Sequence, residues 1–494
     1  MEYYPHEAKD EKKINLSTRI FGNRFKIDQS VYEYLIEFLL IFISPKSSDY
    51  ENGKMKFHEN VLDNYAYYGR IQMGLRRFIF YDKSKKNGSI KLDEVAFNTL
   101  KNYLISNVDA NTQQEKAEII DDIQDLLYGY AVILKKRAWC AQAMLPVCPE
   151  FVFPEAMPNE KERKDNNNLQ KVDWHFAFNK RNFLARGGEL YYLHLLEYLN
   201  KDMRKKKELE ELLTNLLTRK SSNLSEICNW IEKMWYEKNG GTEEKLYQKY
   251  SLGFIPKNGY EKCEQHSVDE LINYLSADLH PIRRVDILAQ GIMLQVMRML
   301  AVRVSTYSGR KQRCWIIDMQ GSTNDIIKKV AAQSFDEIEN EFLIALSKAA
   351  DESDLGDDDR IKAIKDAKKD TFNLFKSKGK ELQCIIPSQG QHTRFTLSED
   401  IVSFLVLAML KPGEKMPLHS FLQKLYENYS MVIGPNEYRK AMGEDGDLSL
   451  SLSNSFNDNV YAFQKFLSSS GFVEELSDAT SIVVNPYSKV EVEM

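Results

Sequence analysis

Residues Ile282 to Met319, IRRVDILAQGIMLQVMRMLAVRVSTYSGRKQRCWIIDM, constrain the fold more than any other stretch, because the longest apolar run of the chain coincides there with its densest arginine content. From Val285 to Val304, residues Leu288, Ile292, Met293, Val296, Met297, Leu300 and Val304 recur on successive turns. They leave almost no side of the helical wheel polar, which predicts a buried helix rather than a surface one. Arg284, Gly291, Gln295 and Arg298, at offsets of 7, 11 and 14 residues, fall on one narrow stripe of that helix. A buried arginine needs a carboxylate or a phosphate, since desolvating its charge outweighs the packing it gains. Arg284 and Arg298 are therefore expected to be paired internally. Between His280 and Arg313 stand seven basic residues and one acidic residue, in a chain of net charge −5. The sign of the charge reverses locally, and Arg303, Arg310, Lys311 and Arg313 are read as a nucleic-acid-binding surface that contacts phosphates. The competing reading pairs them with surrounding acidic helices.

A chain of 494 residues predicts several domains with sizeable cores. A hydrophobic content of 43% with 28% charged residues fits a globular protein and neither a disordered nor a membrane one. The start, MEYYPHEAKDEKK, is charged, and the first apolar run, Val31 to Ile43, carries Glu33 and Glu37 and stops before Pro45. No signal peptide or membrane span is expected. The six cysteines, at 140, 148, 228, 263, 314 and 384, show no CxxC and no short Cys/His spacing, which points to reduced thiols in a cytoplasmic protein and to no metal and no cofactor.

The pattern predicts a mainly α, multidomain fold with a few short strands: a helical domain over 1–160, a central helical domain with short strands over 171–395, and a winged-helix-like module over 396–488. In the first domain helices are expected from about Ser30 to Ser44, from Glu59 to Tyr81, and from the capping box Thr112-Gln-Gln-Glu115 on to Leu145. Prolines at 146, 149, 154 and 158 and the polar run Asn159 to Asn168 mark the first boundary. Val172 to Phe178 alternates like a strand. Asn223-Leu-Ser-Glu226, Ser267-Val-Asp-Glu270 and Ser334-Phe-Asp-Glu337 read as further capping boxes. In the last module Thr396-Leu-Ser-Glu399 opens an apolar helix to Leu410. Helices near Pro417–Asn428, Pro435–Met442 and Asn457–Ser469 follow, then strands Phe472–Leu476 and Ser481–Val484. Helices followed by a β-hairpin is the order of a winged helix. From Thr396 to Met494 there are fourteen acidic and seven basic residues, so the module is expected to fold by itself and to dock proteins rather than DNA.

Several motifs imitate chemistry. Asp82 to Glu94 resembles a calcium loop, but its glycine comes one residue late at Gly88 and Lys86 replaces an oxygen ligand, so a turn is expected. Arg186-Gly187-Gly188 ahead of a helix is an anion-binding candidate, because glycine lets backbone N–H groups at a positive helix end approach a negative charge. His194 and Glu197 lie one turn apart and are read as a packing contact, not a metal site. Lys201 to Lys220 opens with Arg204, Lys205, Lys206 and Lys207, either a phosphate contact or a solvated face. Cys314-Trp-Ile-Ile-Asp318 resembles a Walker B strand, yet no GxxxxGK[ST] occurs to serve it, which argues against a P-loop ATPase. No GxSxG, HExxH or kinase motif set is present.

The tracts Trp139-Cys-Ala-Gln142, Phe183-Leu-Ala-Arg-Gly-Gly-Glu189 and Leu476-Ser-Asp-Ala-Thr-Ser-Ile-Val-Val-Asn-Pro-Tyr487 resemble those of uncharacterised accessory subunits of bacterial multi-gene phage-defence and DNA-restriction operons. The resemblance implies a cytoplasmic subunit working beside an ATPase, a nuclease or a methyltransferase, and it assigns no residue a role. The expected function is a non-catalytic scaffold or adaptor subunit of a bacterial DNA-defence or restriction complex that contacts nucleic-acid backbone through its arginine-rich middle and other protein subunits through its acidic module. The alternative is a diverged metal-dependent nuclease using Asp318.

Overall fold

The computed structural model describes residues 2–5, 15–23, 25, 27, 29–50, 53–59, 65–70, 73–80, 91–129, 157–158, 176–177, 186–218, 222–239, 247–321, 324–353, 355–443, 449–475 and 481–491. In chain order the elements begin with β1 (Tyr3–Tyr4), α1 (Leu16–Phe21), α2 (Val31–Ile43), β2 (Ala66–Arg70), α3 (Met73–Phe80), α4 (Lys91–Ser106), α5 (Gln113–Gly129), β3 (Met157–Pro158) and β4 (Phe176–Ala177). Next come α6 (Gly187–Leu199), α7 (Met203–Thr218), α8 (Ser222–Asn239), β5 (Tyr247–Ser251), β6 (Ile255–Pro256), α9 (Glu261–Ser276), α10 (Pro281–Ser308), β7 (Trp315–Ile316) and α11 (Asp325–Asp351). The last are α12 (Asp357–Lys369), α13 (Phe372–Glu381), β8 (Ile385–Ile386), β9 (Arg394–Phe395), α14 (Glu399–Met409), β10 (Lys415–Pro417), α15 (Leu418–Tyr429), β11 (Met431–Val432), α16 (Pro435–Met442), α17 (Leu450–Ser469), β12 (Val473–Glu475) and β13 (Ser481–Val484). The fold is mainly α, as expected.

Two compact units form. The first comprises Met1–Val31, Leu190–Leu212 and Gly253–Met494, the second Tyr32–Glu189 and Leu213–Leu252. The first unit is built around α10. Pro281 at its first turn costs no hydrogen bond there, and Gly309 in the left-handed region (φ 72°) returns its N–H to the last turn, so both ends are closed by residues suited to them. Of the described helices α10 is the one long and apolar enough to cross a bilayer, and 83% of that apolar window is buried by protein instead. It packs on α9, α11, α13 and α14. The tightest approach is at Gly291, where a Cβ would lie 2.1 Å from the ring of Phe404. Beyond α10, β7 pairs in parallel with β11, and Trp315 stacks on Phe395 with ring centroids 5.0 Å apart.

The second unit packs α3, α4, α5 and α8 around Leu75, Phe78, Leu100, Leu104, Ile231 and Trp235. Its two-stranded ladder pairs β2 with β5 and stacks Tyr67 on Tyr250, centroids 5.4 Å apart. This ladder corrects the single helix expected over 59–81. Ala66-Tyr-Tyr-Gly-Arg70 is strand, because adjacent tyrosines favour a pleated, half-buried surface and Gly69 disfavours helix, and the next helix starts at Met73.

Other expectations resolve unevenly. The capping box at Thr112 is present, with Glu115 N–H donating to Thr112 Oγ1 (3.1 Å) and the Thr112 N–H donating to Glu115 Oε2 (3.1 Å). Those at Ser267 and Ser334 are not caps, since both residues lie in the middle of helices, α9 and α11. The calcium-like run at 82–90, the continuation of α5 beyond Gly129, the tract at 139–142 and the polar run at 159–168 lie outside the described residues. The last module has α14 to α17 and a three-stranded sheet of order β10-β13-β12, but it is continuous with the rest of the first unit. Ile401 to Leu410 is buried along its whole length against α9 and α10.

Candidate functional site

The polar stripe of α10 does meet a carboxylate. Arg298, fully buried, donates from Nη1 to Glu270 Oε1 (2.7 Å) and from Nη2 to Glu270 Oε2 (2.9 Å), a bidentate pair between α10 and α9. Glu270 also accepts from Gln295 Nε2 (2.8 Å), Asn428 Nδ2 (2.9 Å) and the Tyr429 hydroxyl (2.7 Å). The guanidinium lies over the Tyr429 ring, 4.1 Å from its centroid. Tyr191 donates to Gln295 Oε1 (2.5 Å), and Arg298 Nη2 donates to Ser267 Oγ (2.9 Å). Burial works against the Arg298 charge, but Glu270 more than offsets it, so the guanidinium stays charged. This network joins α6, α9, α10 and α15. Arg284 is held differently, by donating from Nη2 to the Leu275 carbonyl.

His194 Nε2 sits 2.8 Å from Ser267 Oγ in the same cluster. A serine beside a histidine is the unit of a hydrolase nucleophile. Here both are fully buried, and burial followed by the Arg298 charge pushes the imidazole down to about 3. Such a ring is too weak a base to activate a hydroxyl at neutral pH. One turn on, Glu197 and Glu264 form a buried pair of carboxyls, and burial raises the pKa of both. Glu197 Oε1 accepts from the Asn258 N–H (2.8 Å), and Lys201 Nζ lies 3.6 Å from Glu264.

Arg303 is buried, with Nε donating to the Ile20 carbonyl (2.6 Å), so its charge is turned inward. Arg310, Lys311 and Arg313 lie on the exposed turn after α10. Arg310 is 3.5 Å from Glu341. Arg313 is 3.3 Å from Glu337 and 3.5 Å from Glu341, and the two arginine side chains remain about half exposed. Lys311 Nζ donates to the Ala441 carbonyl (3.2 Å). Asp318 is fully buried. Its Oδ2 accepts from Arg394 Nε (2.6 Å) and its Oδ1 from the N–H groups of Gln320 and Gly321 (2.9 and 3.0 Å). A carboxylate so engaged closes the turn after β7. At Arg186-Gly187-Gly188 the helix start does hold an anion, and that anion is Glu37. Its Oε1 accepts from the Arg186 N–H (3.0 Å) and its Oε2 from the Gly188 N–H (2.9 Å), while Arg186 Nη1 pairs with Glu189 (2.7 Å). Gly188 is required by the close approach of α2, since a Cβ would lie 2.3 Å from the Tyr34 carbonyl oxygen. Among the described residues no group of three potential metal ligands occurs.

Sequence reasoning missed a cleft of about 1040 Å³ in the first unit. Its walls include Arg204 and Lys205 of α7, His266 and Asp269 of α9, Lys424 and Glu427 of α15, and Lys411 and Lys489 outside the helices, with Glu270 of the buried network at its base. The one signal available was the basic run at Arg204 to Lys207, which gives two of these residues.

No family model matches the chain, and neither a curated protein nor a solved structure matches it.

Proposed function

We propose that the chain is a non-catalytic adaptor subunit that rests on a nucleic-acid backbone through the turn Arg310–Arg313 and meets partner proteins through its acidic C-terminal module. The observation that carries this reading is the exposure of Arg310, Lys311 and Arg313 together just beyond the end of the buried helix α10. The Arg313–Glu337 pair is long and half exposed at both ends, worth about 0–1 kcal/mol, so a phosphate can replace Glu337 at little cost, while the buried Glu341 lies 3.5 Å from both arginines. Arg303 takes no part in this contact, because its guanidinium is turned into the core. The sheet order β10-β13-β12, with α14 and α15 flanking β10 and α17 leading into the β12–β13 hairpin, supports a winged-helix reading of the module. Its acidity favours protein over DNA as the partner. The resemblance to accessory subunits of phage-defence and restriction operons supplies the setting, a cytoplasmic complex beside an ATPase or a nuclease.

The nuclease alternative draws no support from Asp318, whose oxygens are engaged by Arg394 and two backbone N–H groups. The test is incubation of the purified protein with duplex DNA and Mg²⁺ or Mn²⁺, followed by a mobility assay and a cleavage assay on the same samples. Retarded, uncut DNA is expected. Cleavage that Asp318→Ala abolishes overturns the adaptor reading in favour of the nuclease.

A further inference from the structure

We propose that the cleft between α7, α9 and α15 binds a nucleotide-sized polyphosphate, at a site separate from the turn Arg310–Arg313. Among the described residues, the charges that line this cleft do not cancel. Glu270 is consumed by Arg298 and its other donors, and Asp269 is paired with Lys205 Nζ at 2.7 Å. Lys424 keeps its charge, because Nζ donates to a neutral group, the Met409 carbonyl, at 2.6 Å. Arg204, Lys411 and Lys489 are exposed and form no ion pair among the described residues. Four cations are thus left against two carboxylates, Glu208 and Glu427, an excess of about two positive charges.

The cations come from separate parts of the chain: α7, the turn after α14, α15 and the segment after β13. That last segment is pinned in place, with the Val490 N–H donating to the Ser276 carbonyl (2.8 Å) and the Asp278 N–H to the Ser488 carbonyl (2.9 Å). A single amphipathic helix face cannot produce such convergence. Like charges gathered in a concave, low-dielectric wall repel one another and focus a positive potential, which a multiply charged anion relieves. The volume is at the upper end of ligand clefts, roughly 300–1,000 Å³, and far exceeds what a lone phosphate fills. Ile272, Ala408, Pro412 and Met416 supply apolar wall for the remainder of a nucleotide.

The test uses the full chain and reads both thermal unfolding and titration calorimetry at low salt, with ADP, ATP, pyrophosphate, adenosine and a 5′-phosphorylated single-stranded oligonucleotide as probes. ADP and ATP are expected to raise the unfolding midpoint saturably, and adenosine is expected not to. The variant Arg204→Ala/Lys411→Ala/Lys489→Ala changes only exposed side chains, and should weaken nucleotide binding at least tenfold with the unliganded midpoint unchanged. Arg310→Ala/Lys311→Ala/Arg313→Ala should retain nucleotide binding, which separates this site from the adaptor surface if either fails. The proposal is overturned if no nucleotide shifts the midpoint, if the cleft variant binds as the parent does, or if only the oligonucleotide binds.

Discussion

Among single residues, Arg298 and Glu270 form a fully buried, bidentate ion pair that ties α10 to α9. Breaking a buried ion pair strands the remaining charge, at a cost of about 3–5 kcal/mol. Arg298→Met should therefore lower unfolding free energy by that amount, as measured by denaturant titration, and Arg298→Met with Glu270→Leu should recover part of it by removing the stranded carboxylate. A loss under about 1 kcal/mol in the single variant contradicts the assignment. A second residue-scale prediction concerns Glu197 and Glu264. Burial first, and then the neighbouring carboxylate, pushes Glu264 up to about 8, and burial also raises Glu197. A carboxyl whose folded pKa is raised contributes stability that is fully present below the unfolded value and is lost as pH rises through the folded one. The chain should therefore lose stability on the order of 3 kcal/mol between pH 5 and pH 9 from this pair. Glu264→Gln should flatten that fall, and denaturant titrations at the two pH values check it. The stripe that contains Arg298 was legible from periodicity, because a cation on an apolar helix requires a partner. The partner was not, since Ser267-Val-Asp-Glu270 spells a capping box as well as it spells two inward side chains of α9.

At the scale of elements, burial decides what local pattern leaves open. Ser334 has the same spelling as a cap, yet its hydroxyl donates to the Cys314 carbonyl (2.7 Å) from the middle of α11. Helices closed by strong local signals were legible, as with α2 before Pro45 and α16 starting at Pro435, whereas β2 was hidden by a helix-like count of apolar residues around Gly69. The packing of α10 on α14 depends on Gly291. Replacing it with alanine gains up to about 1 kcal/mol of helix propensity, but sets a Cβ into the Phe404 ring, and overpacking of this kind costs about 1–3 kcal/mol. Gly291→Ala should be net destabilising in thermal unfolding. Gly129→Ala, where the Cβ position is open, should be neutral or mildly stabilising. The same burial explains the composition of α14, which is apolar because it is core for α9 and α10 and not for its own module alone.

At the scale of the whole molecule, the mainly helical class and the central place of α10 followed from the sequence, because an all-round apolar helix must be enclosed by others. The cleft did not, because its cations are brought together from positions 204, 411, 424 and 489 by the fold alone. The arginine-rich middle divides into an inward part, Arg284, Arg298 and Arg303, and an outward turn, Arg310, Lys311 and Arg313, a division that a charge count along the chain does not contain. The adaptor reading rests on that outward turn, and its most direct test is the salt dependence of duplex DNA binding by the full chain, compared with Arg310→Ala/Lys311→Ala/Arg313→Ala. Each phosphate contact contributes a slope of about −0.9 in log affinity against log salt, so the triple variant should flatten the slope by roughly two to three units and weaken all sequences alike. An unchanged slope in the variant, or no binding by the parent chain at low salt, contradicts the account.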